Sequence, residues 1–160
     1  MPIPVAEVAA ALRARLPDLP TKKLHKLLYY CQGHHLAAFG TPLFAETISA
    51  WDMGPVVGEL WYAEDRGKSP PAAGRRLDEA ELNTVGYVVS RYGGLTGRDL
   101  ERLTHGERPW QRADGGRPPG GSVRIDLYCS RATRRWSGVN SAQGRICSWT
   151  RCCSSGDMRG

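Results

Sequence analysis

The 160-residue sequence predicts a mainly α fold: a compact single domain of five or six short helices with a small β element, followed by an irregular C-terminal tail. Three observations predict it. Apolar residues recur at helical spacing in several segments. Two of those segments open on a Ser/Thr/Asp-x-x-Asp/Glu pattern that caps helices. Only Glu46 to Trp51 alternates in the manner of a half-buried strand.

Taken in order, Val5, Val8, Ala9, Leu12 and Leu16 mark a first helix over residues 4–16, closed by Pro17 and Pro20. Thr21 is suited to cap a longer helix reaching about Ala38, with Gly40 as its stop. The apolar face of that helix is Leu24, Leu27, Leu28, Cys31 and His35; Lys22, Lys23 and Lys26 are expected on a solvated face opposite. Glu46-Thr-Ile-Ser-Ala-Trp51 reads as one short strand. Gly54-Pro55 then reads as a turn with Pro at the first helical position, opening a helix to about Asp65 that buries Val56, Leu60 and Trp61. Gly67 to Arg76 is a loop rich in Pro and Gly. Asp78-x-x-Glu81 opens a helix through Tyr92, stopped by Gly93-Gly94; Thr96-x-x-Asp99 opens another to roughly Thr104. Pro109 starts a last turn that holds Trp110.

Charge divides the chain. Residues 1–114 carry 14 basic and 14 acidic side chains, whereas 115–160 carry eight Arg, no Lys and two Asp, so the tail holds the whole formal charge of +6. Leu, Ile, Val and Phe number 25 in the first part and five in the tail, which also contains Cys129, Cys147, Cys152 and Cys153. A segment so poor in core formers does not offset its own ordering entropy and is expected to be disordered. As a basic nucleic-acid arm it would not usually exclude Lys, and as a zinc site its cysteines lack paired spacing. Arg, Ser, Gly, Cys and Trp dominate it, as in out-of-frame translation of a GC-rich gene, and a frameshift is the favoured reading, with a switch point as late as Tyr128. The domain is therefore placed at 1–114 and the disordered or frameshifted tail at 115–160. No apolar run approaches the roughly 20 residues that span a bilayer, and the N-terminus carries no leader-like pattern, so a cytoplasmic protein is expected.

Reactive groups are few. Cys31-x-x-His34 has a spacing that metals use, but a site needs two further ligands, and the plainer reading is a small core thiol beside half-exposed histidines. A Cys31/His105 nucleophile pair has no accompanying oxyanion loop. Gly93-Gly-Leu-Thr-Gly97 lacks the Lys-Ser/Thr of a phosphate loop and follows a helix. No catalytic residue, metal or cofactor is assigned. Aromatics are abundant, and the adjacent pairs Tyr29-Tyr30 and Trp61-Tyr62 are expected to leave one member of each near the surface, where partners bind.

Leu24-His-Lys-Leu-Leu-Tyr-Tyr-Cys-Gln-Gly-His-His-Leu-Ala37, Gly40-Thr-Pro-Leu-Phe44, and Glu46 to Trp51 with Gly54-Pro-Val56 resemble the Panacea domain. This is the SocA-like antitoxin family, which includes phage-associated GepA-like proteins. Tyr92-Gly93, Leu100 to His105 and Glu107-Arg-Pro-Trp110 are similar to its closing motif, so the resemblance covers roughly 5–114. It implies a helical domain without catalytic activity that neutralises a cognate protein toxin by direct binding, and it brings with it the role of the family's namesake, which presents its toxin to a AAA+ protease. Family members follow Pro-Trp-x-x-Ala with a polar loop and a final short helix; here Pro109-Trp-Gln-Arg-Ala113 leads into the Gly/Arg/Cys tail.

On that footing Tyr30, Trp51, Trp61 and Trp110 are the expected partner-binding anchors, with Lys22 and Lys26 as rim charges that steer an acidic partner. His105 and Glu107 are expected to be structural, a buried histidine joining two helices. The alternatives are a DNA-binding regulator of its own operon, disfavoured by the neutral domain, and a small metal- or cysteine-dependent enzyme. The toxin's identity, the binding surface and the oligomeric state are not legible in the sequence.

Overall fold

The computed structural model describes residues 1–68 and 74–127. Among these, six helices and a three-stranded antiparallel sheet form a mainly α body. The elements are α1 (Val5–Arg15), α2 (Thr21–Phe39), β1 (Ile48–Trp51), β2 (Gly54–Val57), α3 (Gly58–Asp65), α4 (Glu79–Tyr92), α5 (Gly97–His105), α6 (Arg108–Asp114) and β3 (Val123–Arg124).

The 19-residue helix α2 is the axis of the fold. It packs against α1, α4, α5 and β2, and every residue from Leu24 to Leu36 is buried. This corrects several expectations at once. Tyr29 and Tyr30 are both buried, because neighbours cover α2 on all sides and neither direction leads to solvent. His25, His34 and His35 are buried rather than half-exposed, and Lys26 is only 3% exposed instead of standing on a solvated face. Lys23 reaches across to donate to the Gly93 carbonyl at 2.6 Å. Thr21 is the first helical residue, with Pro20 in the cap position; Gly40 ends the helix in the left-handed conformation (φ 71°), where it has no Cβ to crowd.

The capping boxes are formed as the sequence predicts. Asp78 Oδ1 accepts from the Glu81 N–H at 2.9 Å while Glu81 accepts from the Asp78 N–H at 2.8 Å. Thr96 and Asp99 make the same reciprocal pair at the start of α5. Two helix starts are thus specified by four residues.

The expectation of a helix beginning at Pro55 does not hold. Gly54 to Val57 form β2, antiparallel to β1 with Trp51 opposite Gly54 and Ile48 opposite Val57, and the helix starts at Gly58. The two residues Asp52 and Met53 close the hairpin, and Gly54 follows at φ 108°, which a side chain would oppose. Strand order is β2-β1-β3, so Pro55 lies on an edge strand, where its missing N–H can be spared from the ladder.

The packed body extends past the boundary expected at Asp114. Val123–Arg124 pairs with Ala50 and Ser49 of β1, the Ile125 N–H donates to the Ile48 carbonyl at 2.9 Å, and Ile125 and Leu127 are buried. Residues 115–127 are therefore part of the fold. The tail cysteines Cys129, Cys147, Cys152 and Cys153, and the readings of disorder and frameshift for the rest of the tail, lie outside the described residues.

Candidate partner-binding face

The buried polar groups of α2 are mostly consumed by the fold. His25 Nδ1 accepts from the Val57 N–H at 3.1 Å and ties α2 to β2. Gln32 Oε1 accepts from the Leu43 and Phe44 N–H groups (2.8 and 3.2 Å) and its Nε2 donates to the Phe44 carbonyl (2.8 Å), fixing the loop before β1. His35 Nδ1 pairs with Thr84 Oγ1 at 2.8 Å, and His34 Nε2 with Tyr92 Oη at 2.9 Å, both joining α2 to α4. Tyr29 donates to Glu107 Oε2 at 3.0 Å, joining α2 to the start of α6. Tyr30 stacks on Tyr92, centroids 4.1 Å apart.

Protonation follows from this burial. Desolvation pushes His25 and His34 down to about 4, so both rings are neutral near pH 7. Burial pushes Glu107 up to about 7, against the downward pull of the Tyr30 and Tyr29 hydroxyls. Burial likewise raises the Cys31 thiol well above its ordinary value, the opposite of what an activated nucleophile requires. Among the described residues no group of three or more His, Cys, Asp or Glu could hold a metal ion.

What α2 does not absorb is an aromatic group at the junction of the hairpin and α3. Trp51, at the end of β1, lies between Trp61 (centroids 5.9 Å, 67°) and Tyr62 (5.8 Å, 52°) of α3. Trp61 also packs on His25, 5.5 Å away, so this group is anchored to the axis helix. Trp51 Nε1 donates to Ser122 Oγ at 3.0 Å. Gly58 lies beneath Trp51 and Tyr62; a Cβ there would stand 3.9 Å from both rings. Trp51 and Trp61 are half-buried, and Tyr62 is 52% exposed.

The six expected binding residues are thus dispersed. Trp51 and Trp61 meet on one face, and Lys22 is exposed one helical turn before His25, on which Trp61 packs. Tyr30 is 1% exposed and fills the α2–α4 contact. Trp110 is buried and stacked on His105 at 3.9 Å. Lys26 lies in the interior beside Gly54, its ammonium lowered in pKa by desolvation. Tyr62 completes the face and was not among the six; its adjacency to Trp61 was the signal, because helix geometry turns one of the two outward.

A family model described as "Antitoxin SocA-like, Panacea domain" matches residues 24–111. No curated protein and no solved structure matches the chain.

Proposed function

Because the chain belongs to the SocA-like antitoxin family built on the Panacea domain, we propose that it neutralises a cognate protein toxin by binding it directly through the face formed by Trp51, Trp61 and Tyr62. Three rings from two elements, half-buried at Trp51 and Trp61 and exposed at Tyr62, carry this reading. Large aromatic side chains provide contact area at low entropic cost and dominate interfaces in which a few residues supply most of the affinity. Among the other described aromatics, Tyr29, Tyr30, Phe44, Tyr92 and Trp110 are buried in the fold. Family membership favours a non-catalytic role, and the reactive groups agree with it: the thiol is sealed in the core and the histidines are held neutral by burial. No helix among the described residues is long and apolar enough to cross a membrane.

The experiment is co-expression with the toxin encoded by the adjacent gene, followed by growth and co-purification. The wild-type chain should restore growth and retain the toxin. The double variant Trp61→Ala/Tyr62→Ala should lose at least 100-fold in affinity, in line with removal of two interface anchors at about 1.4 kcal/mol per factor of ten. Leu82→Ala, which alters an exposed leucine on α4, should behave as wild type. Full rescue by the double variant would remove this face from the toxin interface. Repeating the rescue in cells without AAA+ proteases separates simple sequestration from delivery for degradation.

A further inference from the structure

Resting on the reading that this face holds the toxin, we infer that the toxin presents a basic side chain, Arg or Lys, over Trp51 and Tyr62. Two independent features of the face point to it. The first is exposure: Tyr62 is 52% exposed beside half-buried Trp51, their ring centroids 5.8 Å apart, and aromatic ring faces attract cations. The second is charge. Asp52, beside Trp51, has a side chain 66% exposed and shares the Arg117 guanidinium with Asp114. The Arg117 side chain is 8% exposed, so one guanidinium serves two carboxylates, of which Asp52 is the more open to solvent. Glu59 is exposed one turn before Tyr62 and forms no ion pair among the described residues. Arg66 and Lys68, one to two turns beyond Tyr62, are exposed basic residues just after the end of α3.

This polarity is opposite to that expected from Lys22 and Lys26. Lys26 is buried, and Lys22 lies toward the Trp61 end through His25. Asp52 and Glu59 thus lie near Trp51 and Tyr62 in the chain, and exposed Lys22 lies one turn before His25, on which Trp61 packs.

Two charge reversals in the full chain, measured for binding to the purified protein encoded by the adjacent gene, decide between them. Glu59→Lys should weaken Kd about 5–30-fold, with Glu59→Asp retaining most of the affinity, and binding should weaken as salt is raised. Lys22→Glu should leave Kd unchanged or tighten it. The inference is overturned if Lys22→Glu weakens binding while Glu59→Lys does not, which identifies an acidic partner, or if neither reversal moves Kd. Its failure is distinguishable from failure of the underlying reading: charge-insensitive binding that is still lost in Trp61→Ala/Tyr62→Ala keeps the face and rejects the cation, whereas binding retained in that aromatic variant rejects the face itself. Unchanged melting temperatures for Glu59→Lys and Lys22→Glu, both at exposed positions, are expected alongside.

Discussion

Glu107 and the α2 histidines set opposing pH dependences on stability. Unfolded, His25 and His34 titrate near 6.5, and folded near 4, so between those values the unfolded chain binds more protons. Their stabilisation is complete above about pH 6.5 and is lost as pH falls toward 4, by up to ~3 kcal/mol per ring. Glu107 acts in reverse: its folded carboxyl takes its proton near 7 and the unfolded one near 4.5, so stability declines as pH rises through that window. Two rings outweigh one carboxyl, and net acid destabilisation is expected below pH 6. Denaturant melts from pH 4 to 8 should show it. Glu107→Gln, which keeps an acceptor for Tyr29, should stabilise the protein by about 1–3 kcal/mol at pH 8 and have little effect at pH 4.5. A uniform effect at both pH values would show that packing, not ionisation, governs this site. The polarity of these residues is legible in the sequence. Their protonation is not, because it depends on burial by helices that lie up to 78 residues away along the chain.

The helices with capping boxes begin where Asp78 and Thr96 place them, since a cap is a contact between residues three apart and needs no distant partner. The hairpin is a different case. Gly54-Pro55 is locally compatible with a helix start, and the strand is chosen by pairing with β1 and by packing on α2. Gly54 is the element-scale test. At φ 108°, and with Lys26 Cε, His105 Nε2 and Thr104 Oγ1 3.5–3.6 Å from the position a Cβ would take, Gly54→Ala combines backbone strain with contact on three side chains. It should cost about 1–3 kcal/mol in a denaturant melt. Gly67→Ala, at φ 65° with nothing within 4 Å, should cost no more than ~1 kcal/mol. Equal losses would mean that the close approach at Gly54 carries no weight.

For the whole molecule, the main departure from the linear reading lies after Asp114. Composition marks 115–160 as poor in core formers, yet Val123, Ile125 and Leu127, three of its five Leu, Ile, Val and Phe residues, are the ones that pair or pack on β1 and the core. Ile125→Ala in the full chain should therefore cost about 2–4 kcal/mol, as for a buried core residue, while Arg124→Ala beside it should stay within ~0.5 kcal/mol. A surface-like response at Ile125 would return the boundary to Asp114. By itself the sequence determined the helical class, most element limits, the capped starts of α4 and α5, and family membership, because these rest on periodicity and on residues close together in the chain. Only the tertiary structure decided which aromatics are available to a partner. Burial is a property of neighbours: α2 is enclosed on every side and consumes Tyr29, Tyr30 and Lys26, whereas α3 packs chiefly through Leu60 and leaves Tyr62 exposed beside half-buried Trp51 and Trp61.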